Sequence, residues 1–204
     1  VRLTVVVAHP DPGSFNAGIA RAVCEAAEGA GATVRLHDLY ADGFDPRMPV
    51  AEVGTTAFAD DLARRYAEEV LDADAIVVVH PVWFFHVPAT LKGWVDRVMR
   101  DGVVYRVGSG GETQGMLRAR AALVVTTANA PQALERDVLG DPLTTFWERI
   151  VFGFGGVSDV RSMRFAPVRD STPEVRTAWL QEVREAVSAL VHEASTTRNG
   201  ADDG

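Results

Sequence analysis

Apolar and polar positions switch between two periods along the whole chain. Leu3–Ala8 is a continuous apolar run rich in β-branched residues, the pattern of a strand buried on both faces. After a Pro/Gly turn, Ile19, Val23, Ala26 and Ala30 recur at helical spacing, and Gly29 and Gly31 mark the end of that helix. Thr33–Leu36 reads as a second strand. A connection rich in Asp, Gly and Pro runs from Asp38 to about Thr56, and Phe58, Leu62, Tyr66 and Val70 mark a second helix. Ala75–Val79 is a third strand. Pro88 opens a helix with Leu91, Val95 and Val98 on one side and Asp96 and Arg97 near the exposed edge. Ala121–Val125 is a fourth strand, followed by a helix carrying Leu143, Phe146, Trp147, Ile150 and Phe154. Val160–Phe165 is a fifth, and Val175, Trp179, Val183, Val187 and Val191 make the last helix. The small, polar stretch from Ser195 to Gly204 is expected to be disordered.

Five strand–helix units predict one α/β domain over residues 1–194, a three-layer sandwich around a five-stranded parallel sheet. Ligands on such sheets sit beyond the carboxyl ends of the strands, near the point where strand order reverses. The loops after strands one, three and four are therefore the ones to inspect.

Composition narrows the classes. A chain of 204 residues can bury a real core, and 47% hydrophobic with 24% charged residues is an ordinary soluble profile. The single Cys24 makes no intramolecular disulfide. A net charge of −8 argues against nucleic acid or an anionic membrane as partner. No apolar run is long enough to span a membrane, and Val1-Arg2-Leu3-Thr4-Val5 enters a strand directly, unlike a signal peptide. No membrane insertion and a cytoplasmic location are the expectations.

The first loop, His9-Pro10-Asp11-Pro12-Gly13-Ser14-Phe15-Asn16, leads into a helix N-terminus, whose free N–H groups and positive potential suit a phosphate. Neither GxGxxG nor GxxxxGK[ST] is present, and a plain capped turn explains the same residues. The second loop, from His80 to Ala89, carries Trp83, Phe84 and Phe85 in succession, good walls for a flat π ligand, although some of them also pack under the next helix. The third, Thr126-Thr127-Ala128-Asn129-Ala130-Pro131, has small residues that allow close backbone approach.

Together these segments resemble the NAD(P)H:quinone oxidoreductase family of flavodoxin-like flavoenzymes. The likeness rests on Ala8-His9 with Ser14-Phe15-Asn16, on Asp38-Leu39-Tyr40 with Phe44-Asp45-Pro46, and on Pro81 to Val98, where Val87-Pro88-Ala89-Thr90-Leu91-Lys92-Gly93-Trp94-Val95-Asp96-Arg97-Val98 is close to PA-x-LKGW-x-[DE]RV. The resemblance implies a flavodoxin-like sheet in the order 2-1-3-4-5. It implies a flavin phosphate at His9, Ser14, Phe15 and Asn16, and the flavin ring edge along Pro81, Val82, Trp83, Phe84 and Phe85. Thr126, Thr127, Ala128 and Asn129 would border the other side. It further implies FMN, with FAD as the alternative, NADPH or NADH as co-substrate, a small aromatic acceptor, no bound metal and a homodimer in which Tyr105 faces the partner's site. His86 and Tyr105 are candidate substrate contacts, and Lys92 is read as support for the fold and dimer surface rather than chemistry. The reaction expected is ping-pong hydride transfer from NAD(P)H through flavin to a quinone or similar acceptor.

Three departures bear on the acceptor. The third loop is often Thr-Thr-Gly-Gly in the family and here ends in Ala128-Asn129. Leu134 and Leu139 stand near the places of a Tyr and a His proposed to assist hydride transfer. His86 replaces a residue that is commonly Gly. The rival readings are a non-enzymatic flavodoxin-type electron carrier and a redox-sensing regulatory flavoprotein. A zinc deacetylase is a weaker rival: Ala8-His9-Pro10-Asp11 starts like AHPDDE, but Pro12 and Gly13 replace the next Asp and Glu.

Overall fold

In the computed structural model the backbone is described for residues 1–202 and side chains through residue 196. The sheet strands are β1 (Arg2–Val7), β2 (Thr33–Asp38), β3 (Ala75–Pro81), β6 (Ala121–Thr127) and β7 (Asp159–Phe165). A hairpin of β4 (Tyr105–Val107) and β5 (Thr113–Gly115) stands apart. The five-stranded sheet is parallel throughout, in the order β2-β1-β3-β6-β7. This is the expected 2-1-3-4-5 order, renumbered by the two short strands that the sequence pattern did not reveal.

Period-two alternation divides the core into two layers. Leu3, Val5, Val77, Leu123 and Val125 face helices α1 (Phe15–Gly29) and α6 (Pro173–Asp202), meeting Ile19, Val23, Val183 and Val187. Val6, Ile76, Val78, Ala122 and Val124 face the other way, toward α2 (Asp61–Leu71) and α3 (Ala89–Val98), meeting Tyr66, Val70, Leu91 and Trp94. Among the described residues, no helix is long and apolar enough to cross a membrane.

The expected fourth helix is helical but not regular. Helices α4 (Pro142–Thr144) and α5 (Phe152–Gly155) flank a π-wound stretch, Thr145–Val151. The wider turn inserts extra residues into the helical repeat. Leu143, Phe146 and Trp147 are buried as the spacing predicts, but Val151 and Phe152 then take the inward positions, leaving Ile150 47% and Phe154 40% exposed. Gly153 permits this winding, since a Cβ there would lie 2.8 Å from the Glu148 carbonyl oxygen.

Arg97 also departs from the pattern. Expected near the exposed edge of α3, it is 0% exposed, and its guanidinium bonds Glu52 (2.5 and 3.1 Å), Asp60 (2.5 Å) and the Asp45 carbonyl (2.7 Å). A buried cation needs such partners. The hydrogen bonds that Arg97 donates to Glu52 and to Asp60 outweigh burial and hold it above its ordinary pKa. Gly93 completes the contact, because a Cβ there would lie 2.3 Å from the Pro46 carbonyl oxygen. Phe44-Asp45-Pro46 and the Leu-Lys-Gly-Trp run thus pack on each other. Lys92 points outward and pairs with Asp96 at 2.5 Å.

Helix α6 runs past Ser195 to Asp202. Ala194, Ser195 and Thr196 contain no helix breaker, so the helix extends by one hydrogen bond per residue. Positions 203–204 of the expected tail lie outside the described residues.

Candidate functional site

At the carboxyl edge of β1, β3 and β6 lies a cavity of about 210 Å³, open to solvent on one side. His9, Ser14, Phe15 and Asn16 line it from the first loop, Pro81, Val82 and Trp83 from the second, and Thr127, Ala128 and Asn129 from the third. Sequence-distant loops converge here because the sheet reverses its order between β1 and β3.

The first loop is a tightly hydrogen-bonded turn. Asp11 folds it locally: its carboxylate accepts from the Gly13 amide at 2.8 Å, and its carbonyl accepts from the Ser14 amide at 3.1 Å. His9 Nδ1 packs against the Asp11 backbone, 3.1 Å from its amide and 3.3 Å from its carbonyl oxygen. Ser14 caps α1, its hydroxyl oxygen accepting from the Ala17 amide at 3.2 Å. The amides of Phe15 and Asn16 are left without an intrahelical acceptor. These donors at a helix N-terminus fit a phosphate.

The second loop leaves β3 through His80, which sequence reading did not single out. Trp147 Nε1 donates to His80 Nε2 at 3.1 Å. A tryptophan can only donate, so His80 Nδ1 carries the proton and donates to the Pro81 carbonyl at 2.8 Å. Burial pushes the His80 pKa down to about 4, keeping the ring neutral. A histidine at the end of a buried strand was the available signal. Beyond Val82, Trp83 and His86 exchange both backbone hydrogen bonds at 3.0 Å. Phe84 (φ 48°) and Phe85 (φ 61°) form the left-handed corner of that turn. Phe84 is 98% exposed. Neither Phe84 nor Phe85 lines the cavity; the turn carries both beyond its rim. His86 stacks edge-on against Phe146, with ring centroids 4.9 Å apart. Burial, then the nearby Lys92 charge, lowers the His86 pKa.

In the third segment Thr126 and Thr127 belong to β6 rather than to a loop, so they point to opposite faces. Thr127 lines the cavity, and its hydroxyl meets the Asn16 side chain. Thr126 faces the other layer and lines a separate polar pocket of about 60 Å³ with Trp147 and Arg164. Asn129 Oδ1 accepts from the Arg169 amide at 2.8 Å. Val168, also missed by the sequence reading, completes the wall, its amide bonded to the Ala128 carbonyl at 3.0 Å. The signal available was the Pro167-Val168 turn just beyond the fifth strand, beside the loops inspected. Leu134 begins a π-wound turn that ends just before Leu139; both are partly exposed, and neither lines the cavity.

Tyr105 lies on the hairpin, edge-on to Phe154 at 5.3 Å. Burial, then the charge of Asp101, raises its pKa. The hairpin is rooted by Gly115, whose missing Cβ would lie 2.3 Å from the Gly156 amide nitrogen.

The family described as flavodoxin-like fold matches residues 1–191. The rat ribosyldihydronicotinamide dehydrogenase [quinone] is 30% identical over 168 residues, covering 72% of each chain. An FMN-dependent NADH:quinone oxidoreductase from Vibrio parahaemolyticus is 36% identical over 100 residues, 49% of each chain. The solved structure of Smu.1420 from Streptococcus mutans UA159 superposes with a TM-score of 0.82 at 26% identity, over 93% of this chain and 100% of that one. The chain therefore belongs to the flavodoxin-like fold family, among the NAD(P)H:quinone oxidoreductases.

Proposed function

We propose that this chain is a flavin-dependent NAD(P)H oxidoreductase whose acceptor is a quinone or a similar flat aromatic. The observation that carries the reading is the convergence, on one cavity, of the α1 N-terminus with His9 and Ser14, the Pro81–Trp83 wall and the Thr127–Asn129 edge. The donor set suits a phosphate, and the walls suit a flat ring. FMN fits better than FAD, because the connection after Tyr40 is short, and the Vibrio relative is named FMN-dependent.

A flavin held there would supply hydride transfer from NADPH or NADH to the acceptor. The chain's own groups bind and orient. His9 and the α1 amides would hold its phosphate and Pro81 to Trp83 its ring edge, while neutral His80 secures the Pro81 carbonyl. Donor and acceptor use the same open side of the cavity in turn, which gives ping-pong kinetics.

The cavity volume falls below the roughly 300–1,000 Å³ that buries most of a drug-sized ligand. We therefore propose a homodimer in which the hairpin of one protomer completes the site of its partner through Tyr105. A lone two-stranded hairpin is marginal in water. This one exposes Val107 and adjoins exposed Phe154. A monomer by light scattering would overturn the dimer. The nicotinamide donor favours a cytoplasmic enzyme, which fractionation of cells checks.

Absorbance of the purified protein, mass analysis of the released flavin and stopped-flow mixing with NADPH and NADH test the function. A yellow protein reduced directly by either donor is expected. A colourless protein that takes up no flavin overturns the reading, and a flavin that neither donor reduces turns it into an electron carrier. Converging double-reciprocal lines would replace ping-pong with a ternary complex.

A further inference from the structure

The polar side chains lining the cavity are not equally free. Asn16 and Thr127 bond each other, and the Ser14 oxygen caps α1. Asn129 is different. Its Oδ1 is occupied by the Arg169 backbone N–H at 2.8 Å. An N–H can be accepted only by the oxygen of a carboxamide, so this contact fixes which way the amide is turned. Asn129 is an exposed residue of the cavity wall, and its Nδ2, with both hydrogens, has no hydrogen-bond partner among the described residues. The frame behind it is held from both sides. The Ala128 amide donates to the Phe165 carbonyl, and the Val168 amide donates to the Ala128 carbonyl, each at 3.0 Å.

We propose that Asn129 is a specificity-determining residue that orients the bound ligand by donating from Nδ2 to a carbonyl oxygen or ring nitrogen of a flat heteroaromatic. The amide polarity selects a ligand edge that accepts hydrogen bonds and rejects one that donates. This inference rests on the flavin reading above, since N1 and the neighbouring O2 carbonyl at the pyrimidine end of a flavin are such acceptors. A donor there strengthens as the acceptor gains negative charge, because charge-assisted hydrogen bonds are about twice as strong as neutral ones. Asn129 therefore favours the reduced over the oxidised ligand.

Wild type, Asn129→Ala and Asn129→Asp are titrated with FMN, and the midpoint potential of each complex is measured against a reference dye. The alanine variant is expected to bind oxidised FMN several-fold more weakly. It should lose about a further tenfold on reduced FMN, which lowers a two-electron potential by about 30 mV. The aspartate variant keeps an oxygen for the Arg169 amide but replaces the donor with a charged acceptor, so its potential falls further. Should the alanine variant melt early, the aspartate variant decides alone. Variants that match the wild type in FMN affinity and potential overturn the role of Asn129 and leave the flavin reading standing. Wild type that binds no FMN overturns both.

Discussion

Asn16 and Thr127, 111 positions apart in the chain, meet side chain to side chain, with Asn16 Nδ2 2.9 Å and Oδ1 3.1 Å from Thr127 Oγ1. The contact ties the start of α1 to the end of β6 beneath the cavity that both line. Both groups are buried, so removing one leaves its partner unsatisfied. Thr127→Val is expected to cost about 1–3 kcal/mol in urea unfolding and to weaken FMN binding. A variant with wild-type affinity would separate this contact from ligand binding.

His80 gives a pH dependence. Its pKa in the fold is about 4 against an ordinary 6.5, so the unfolded chain takes up a proton first as pH falls. The neutral-state stability is complete above the ordinary value and is lost as pH drops through the window toward the folded value. The shift corresponds to about 3 kcal/mol across the whole window. His37, buried and likewise lowered by burial, acts in the same direction. Denaturant midpoints at about pH 7 and about pH 5 check this. The fall should be smaller in His80→Gln, and an equal fall in that variant would assign the pH dependence elsewhere.

The turn at Phe84 and Phe85 trades stability for display. Two left-handed residues in succession are ordinarily Asn-Gly. A bulky residue there costs about 1–2 kcal/mol. Phe84 is almost fully exposed and loses little packing when replaced. Phe84→Asn should raise the melting temperature and leave kcat/KM for a quinone acceptor unchanged, since Phe84 lies beyond the cavity rim. A fall in kcat/KM would instead place Phe84 against the acceptor.

Arg97→Met should be far more damaging than a surface change. It strands the buried Glu52 carboxylate, whose pKa is held down by Arg97 against the opposing effect of burial. The expected loss is about 3–5 kcal/mol by denaturant unfolding. A loss under about 1 kcal/mol, the range of exposed ion pairs, would contradict a fully desolvated network.

Much of this protein was legible before folding. The continuous apolar runs fixed a parallel sheet covered on both faces, because a strand buried on both sides has no polar face to show. The same pattern pointed to the strand ends that carry the cavity, and His9, Trp83 and Asn129 were found there. Periodicity could not foresee the π-wound turn of Thr145–Val151, since a helix that inserts a residue loses its register without any change of composition. Nor could it bury Arg97: charge alone predicts exposure, and only Glu52, Asp60 and the Asp45 carbonyl, brought in from a distant loop, make burial affordable. Thr126 and Thr127 are adjacent and chemically identical, yet only one lines the cavity. Sequence determined which segments reach the site. Tertiary structure decided which side chains face it, because the pleat of the strand and the register of its neighbours set the direction of every Cβ.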